Sequence, residues 1–316
     1  MNRHQYKITR RQLVERAVSV GVGLMAAPFS FVKASETRMV ARIFFDSYGT
    51  MALRQALRFA GDDGFVASLP QLLHARTNAS YDNRIWNTWF TANSEESVVT
   101  TPQGNHVVIT VHGGGIYGDP ARIERTLRAD LNRHNAEGLT GQYASKITEH
   151  EARDLLHGRL PDGTEFPVYT YDDFKRGVPE LPARYGVVLD FETAKKAKNG
   201  YDSFEVLRDE PLMIIRAGGV EPLAVYIDKK RNRNMTEAMG NQHRFHAIDP
   251  AQPQTRILKL GGARGGKNSD GSDLGRGRGY DIAWGISAGG LIDLARYVAV
   301  SPRDPSTSVQ FLDFEL

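Results

Sequence analysis

The chain of 316 residues contains no cysteine. Thiolate metal sites, iron–sulfur clusters, cysteine nucleophiles and disulfides are excluded together, so stability has to come from the core alone. Long apolar runs are missing as well. The most hydrophobic stretch, "AVSVGVGLMAAPFSFV" at 17–32, is interrupted by Pro28 and falls short of the roughly 20 residues that a bilayer-spanning helix needs. Charge of one sign is scarce: the net charge is +3, and residues 1–34 alone hold six Lys or Arg against one Glu, which leaves the rest near −2. The sequence pI of 9.0 therefore gives no support to a nucleic-acid partner. No histidine follows His246, and no internal repeat is present. What is there, 41% hydrophobic residues, suffices for one large core or two modest ones.

The first 34 residues read as an address. Arg3 and Lys7 precede "TRRQLV" with its paired Arg10 and Arg11, the apolar stretch follows, and Val32-Lys33-Ala34 offers a small-residue cleavage site. This resembles a twin-arginine signal, which sends already folded proteins across a bacterial inner membrane. The resemblance implies a soluble periplasmic or secreted protein: residues 1–34 as signal peptide, 35–316 as a single globular domain, and no membrane span after cleavage. The best internal boundary is the Pro-containing "RGVPELPARYG" at 176–186. Folded export suits cofactor loading or subunit assembly before transport. The sequence identifies no cofactor, which stays unknown, and leaves a homo-oligomer as an open partner.

Short apolar runs alternating with amphipathic segments predict a mixed α/β fold, its sheet partly antiparallel with flanking helices; α+β is the alternative. Helices are predicted at 51–61 with Thr50 as cap, at 120–134 behind Asp119 and Pro120, and at 148–158, where Thr148 and Glu151 have capping-box spacing. On the second, Ile123, Leu127 and Leu131 form one buried stripe, and Arg122, Arg125, Arg128 and Arg133 a solvated face. Strands are predicted at 106–111, 166–170, 185–191, 212–216, 223–227, 256–260, 280–284 and 309–314, with a hairpin at Gly218-Gly219. Residues 261–279 hold eight glycines and read as a mobile loop.

Two glycine motifs carry the chemistry. "VHGGGIYGDP" at 111–120 follows a strand, and a turn of three glycines there offers backbone N–H groups to an anion. "GISAGG" at 285–290 sets Ser287 between glycines, with a strand before it and a helix expected after. The first resembles the oxyanion loop of the hormone-sensitive-lipase-like branch of the α/β-hydrolases, the second their nucleophile elbow. The resemblance implies an acyl or ester hydrolase with Ser287 as nucleophile, Gly114 and Gly115 as oxyanion donors, and an upstream His112, His243 or His246 as base. It spans only the two motifs. In that family the elbow follows the oxyanion loop closely and the acid and histidine come after the serine, an order this chain does not have. Patatin-like lipases pair the same two motifs with a downstream Asp-Gly, which is missing here.

Other readings of the same residues are weaker in pattern. Gly113, Gly115 and Gly118 match a dinucleotide fingerprint, but no strand follows to supply the ribose-binding acid. Gly261, Gly266 and Lys267 have Walker A spacing, with Asn268 in place of the magnesium-binding hydroxyl. His243 and His246, joined by His112, are the preferred metal set, with His134 and Glu137 a second pair and Asn268, Asp270 and Asp273 a hard-oxygen group. "YDNRIWNTWF" gathers Tyr81, Trp86, Trp89 and Phe90 among Asn and Arg, a composition that suits sugar stacking or a partner surface. The reading that accounts for most of the chain is an exported binding or assembly protein, its ligand turn at Gly113, Gly114 and Gly115 structural. The serine hydrolase and the His-ligated metal protein are the alternatives.

Overall fold

The computed structural model describes residues 39–46, 48–80, 83–86, 88–131, 144–196, 200–231, 237–241, 252–261, 284–285 and 295–302. Residues 1–34, Ser287, His243, His246, His134, Tyr81 and nearly all of the glycine-rich stretch lie outside them.

In chain order the elements are β1 (Met39–Asp46), α1 (Gly49–Ala60), β2 (Phe65–Val66), α2 (Leu69–Asn78), β3 (Phe90–Thr100), β4 (His106–His112), α3 (Pro120–Leu131), β5 (Ser145–Lys146), α4 (Glu149–Leu156), β6 (Val168–Thr170), α5 (Tyr171–Arg176), β7 (Tyr185–Asp190), α6 (Phe191–Lys195), β8 (Gly200–Ser203), α7 (Phe204–Arg208), α8 (Pro211–Ala217), α9 (Val220–Arg231), β9 (Glu237–Asn241), β10 (Gln254–Leu260), β11 (Trp284–Gly285) and β12 (Ala295–Pro302). The main sheet runs β11-β10-β3-β4-β7-β6, with β5 also on β10. Among the described strands only β6 and β7 pair in parallel, with α5 between them in the chain. A second, three-stranded sheet has the order β1-β12-β2, so the first and last described strands pair along eight residues, Met39 against Pro302 through Asp46 against Ala295. The mixed, largely antiparallel sheet with flanking helices is the architecture expected.

Three apolar clusters explain why the chain folds this way. Val98, Val108, Val187 and Leu189 pack one face of the main sheet against α2, α8 and α9. The alternate residues Val99, Val107, Ile109 and Val111 pack the other face against Ala152 and Leu155 of α4. A strand buried on both faces reads as an unbroken apolar run, which is how β4 and β7 announce themselves. Phe44, Tyr297 and Ala299 pack the small sheet against Ala52, Leu53 and Ala56 of α1.

The helix signals hold where side chains meet free N–H groups. Asp119 accepts from the Ala121 N–H (2.8 Å) ahead of α3, and Thr148 and Glu151 form the reciprocal capping box of α4. Thr50 is not a cap: α1 starts two residues earlier than expected, at Gly49 after Tyr48.

Three expectations are corrected, and one strand goes unread in the sequence. Residues 212–216 and 223–227 are helices, not a hairpin: Pro211 starts α8, Gly218 ends it in the left-handed conformation, and α9 follows at once. The apolar run of α8 is buried all round and shows neither helical nor strand period, and in α9 the exposed Val225 hides the helical spacing of Leu223, Tyr226 and Ile227. The helix expected after Ser287 is a strand by Ala295, because Tyr297 and Ala299 face α1 while Val298 and Val300 face the larger core. Arg122 is buried, unlike the exposed Arg125 and Arg128, since its guanidinium reaches Glu151 on α4. Strand β3, "FTANSEESVVT", carries too many polar residues to be read as a strand, yet it is the centre of the main sheet.

Candidate functional site

Strand β4 ends at His112, and the three glycines then turn the chain back over β3. The N–H groups of Gly113 and Gly114 both donate to the Asn93 carbonyl, at 2.9 and 3.0 Å. One 3-10 turn later the N–H groups of Ile116 and Tyr117 donate to the two carboxylate oxygens of Glu95, at 2.7 and 2.9 Å. The anion held by this turn is thus the protein's own. Gly115 is required by contact: a Cβ there would stand 2.0 Å from Glu95 Oε1. Beside it lies a cavity of about 10 Å³, lined by Asn93, Ser94, Glu95, Gly115, Tyr117 and Tyr297, which is room for a single water.

His112 is fully buried. A carbonyl only accepts, so Nε2 carries the proton and donates to the Ile215 oxygen (3.0 Å), and Nδ1 accepts from the Ser94 hydroxyl (2.9 Å). Ser94 Oγ in turn accepts from the Leu69 N–H at 2.9 Å. Both ring nitrogens are engaged inside the core. Gly285 sits on β11, and β10 and β3 separate β11 from β4. At about 4.8 Å per strand, Gly285 stands some 14 Å from β4 across the sheet.

Next to Glu95, Glu96 is clamped by two buried guanidinium groups. Arg216 Nε and Nη2 reach its carboxylate at 2.5 and 2.8 Å, and Arg256 Nη2 at 2.7 Å. Burial by itself would raise the Glu96 carboxyl; the two arginines outweigh it and hold it at about 2. Burial pushes Glu95 the other way, up to about 7, against its two backbone donors, and pushes the His112 imidazole down to about 4.

These shifts set a pH dependence. His112, depressed from 6.5, stabilises the fold fully above pH 6.5 and loses that contribution as pH falls through about 4. Glu95, raised from 4.5, has the opposite sign: its contribution is full below pH 4.5 and is lost as pH rises through about 7. Glu96 contributes above pH 4.5 and fails toward about 2. Urea midpoints should therefore be nearly level from pH 6.5 to 4.5 and fall below that. In Glu95→Gln the opposing contribution is gone, and the midpoint should already decline between pH 6.5 and 4.5. Parallel profiles for the two proteins would refute this assignment.

One surface feature stands apart. At the junction of the two sheets, Arg296 of β12 lies with its Cζ 4.9 Å from the ring centroid of Phe45 on β1 and 4.7 Å from that of Trp89, while Lys259 Nζ of β10 stands 5.0 Å from the same Trp89 ring. Phe45 and Arg296 are register partners, and the Arg296 N–H donates to Thr91 Oγ1 at 3.2 Å, which joins the small sheet to the large one. Ring and cation thus alternate in a ladder of four side chains. Phe45 remains 49% exposed and Tyr48, three residues on, 59%. Buried Arg76 donates to the carbonyls of Ile85 (3.0 Å), Thr88 (2.7 Å) and Gly261, at the approaches to Trp89 and Lys259. Of the predicted aromatic group, Trp86 and Phe90 are core residues, and Trp89 reaches this surface.

Sequence reasoning locates the glycine turn and Trp89 but not Glu95, Glu96, Phe45 or Arg296. A signal for the buried clamp existed: Arg216 and Arg256 each interrupt an apolar run, and "SEES" supplies the counter-charge. The ladder has no such signal.

No family model matches the sequence, and no curated protein matches it either. The chain is similar to a solved structure reported for the accommodation of massive sequence variation in Nanoarchaeota by the C-type lectin fold, with a TM-score of 0.55, 21% identity, and coverage of 83% of this chain and 97% of that one. The class is therefore one of fold: the chain has a C-type lectin-like fold.

Proposed function

We propose that this chain is an exported binding protein that takes its ligand on the ladder of Phe45, Arg296, Trp89 and Lys259. The observation that carries the reading is the ladder itself, a partly exposed run of rings and cations, with buried Arg76 bonded to the Thr88 carbonyl next to Trp89 in the chain. Rings with exposed faces supply rigid contact area and the cations supply directional donors, a combination used for recognition. The glycine turn supports a binding rather than a hydrolytic role, because its donors serve Asn93 and Glu95. The nanoarchaeal neighbour's fold accommodates massive sequence variation, and we assign the same division here: a fixed scaffold under a face whose side chains choose the ligand.

On a glycan array the exported protein should retain a defined set of saccharides, and Phe45→Ser should weaken retention about fivefold, since one exposed ring contact is worth on the order of 1 kcal/mol. Unchanged retention by Phe45→Ser would remove the ladder from the binding face. For the export half of the proposal, Arg10→Lys with Arg11→Lys should keep the precursor in the cytoplasm; unaltered periplasmic yield would refute it.

A further inference from the structure

We infer that the ligand of this face carries a carboxylate beside a sugar ring and that Arg296 is the group that receives it; the inference rests on the ladder being the binding face. The large buried guanidiniums are matched by carboxylates or carbonyls. Arg122 forks onto Glu151, Arg216 and Arg256 converge on Glu96, and Arg76 serves three carbonyls. Arg296 differs. Its Nη1 makes one long contact to the Trp89 carbonyl, at 3.5 Å, and no carboxylate of the described residues stands within ion-pair distance.

Stacking fixes what the remaining donors are good for. The rings of Phe45 and Trp89 meet edge to face, 6.3 Å apart, and the guanidinium sits in the corner they make, 4.9 and 4.7 Å from their centroids; its planar N–H edge matches a carboxylate two bonds at a time. Half-burial also strips part of its water, which lowers its pKa and raises the gain from an incoming anion. Lys259 adds a second positive charge on the same ring. Asp46, which follows Phe45 in the chain, turns its Oδ1 into the local turn, where it accepts the Tyr48 N–H at 3.0 Å. Beside the cations the exposed rings of Phe45 and Tyr48 offer flat apolar area. A uronic acid joins both requirements in one rigid unit: an anion in the plane of the guanidinium and a ring face for the aromatics.

The test measures calorimetric affinity for three probes: an oligogalacturonate, its neutral methyl ester, and an oligoglutamate peptide. Wild type should bind the oligogalacturonate at least about tenfold more tightly than the other two, the usual scale of a charge-assisted pair. Arg296→Gln should weaken acid binding about tenfold and ester binding by far less, Arg296→Lys should recover part of the loss, and Phe45→Ser should weaken acid and ester together. Unchanged thermal midpoints keep these effects apart from misfolding. If acid and ester bind alike and Arg296→Gln changes neither, the anion inference fails, while a loss in Phe45→Ser would keep the binding face standing. Oligoglutamate binding as tightly as the uronate would overturn the saccharide assignment. No binding of any probe would overturn the inference as a whole.

Discussion

Glu96→Ala should cost the fold about 3–5 kcal/mol, because it removes the carboxylate on which two buried guanidiniums, Arg216 and Arg256, converge. That is a large share of the roughly 5–15 kcal/mol by which a domain is stable. A thermal midpoint lower by about 10 °C or more is expected, with a matching fall in the urea midpoint. The exposed pair Arg54–Glu124, at 2.8 Å, is the control: Glu124→Ala should change stability by about 0.5 kcal/mol or less. Replacing the whole clamp by Glu96→Leu, Arg216→Met and Arg256→Met should be milder than Glu96→Ala alone, since no charge is then stranded. A Glu96→Ala protein as stable as wild type would mean that water or a neighbouring acid reaches the two arginines.

Gly115→Ala is the second large effect. The added methyl would sit 2.0 Å from Glu95 Oε1 and 2.6 Å from its Cγ, so the carboxylate has to withdraw and release the N–H groups of Ile116 and Tyr117. Two buried donors without partners represent a loss of about 2–4 kcal/mol. Gly118→Ala, three residues on, meets nothing nearer than Asn93 Oδ1 at 3.6 Å and should be tolerated to within about 1 kcal/mol. Combining Gly115→Ala with Glu95→Ala should cost less than the two changes added, because the clash disappears with the side chain. Strict additivity in a urea-denaturation cycle would show that the turn and Glu95 are not in contact. A ligand turn open to solvent would behave differently: Gly115→Ala would then impair binding and leave stability alone.

Much of the scaffold was legible from the chain. The strands at β4, β7 and β10 are marked by apolar runs, and α3 and α4 by caps whose side-chain geometry is local. The failures concern the period of the apolar residues. In α8 and in β12, nearly every residue on the inward side is apolar because partners cover it from several directions, and the period that separates helix from strand is lost; in α9 the exposed Val225 hides it. In β3 the pattern fails for the opposite reason, since Ser94, Glu95, Glu96 and Ser97 are polar and buried. Each is matched by a group distant in sequence: His112, the 116–117 turn, Arg216 with Arg256, and Thr255.

The candidate site divides in the same way. "HGGG" after a strand marks a place where backbone donors converge on an anion, and that much is a property of glycine and of turn geometry. Which anion it is depends on what β3 brings alongside, and pairing of β3 with β4 brings Glu95. The ladder is further still from the sequence: Phe45 and Arg296 lie 251 positions apart and meet only because β1 and β12 pair along their full length, while Trp89 and Lys259 arrive from the other sheet.

By itself the sequence determined what depends on neighbours along the chain: the absence of thiol chemistry, the mixed α/β composition, the caps of α3 and α4, and the glycine turn after β4. The tertiary structure alone decided which charges are buried, which anion the turn holds and which aromatic residues reach the surface. The physical reason is that a cap or a turn is satisfied within a few residues, whereas a buried charge or an exposed ring takes its meaning from partners that only the packing of two sheets brings within reach.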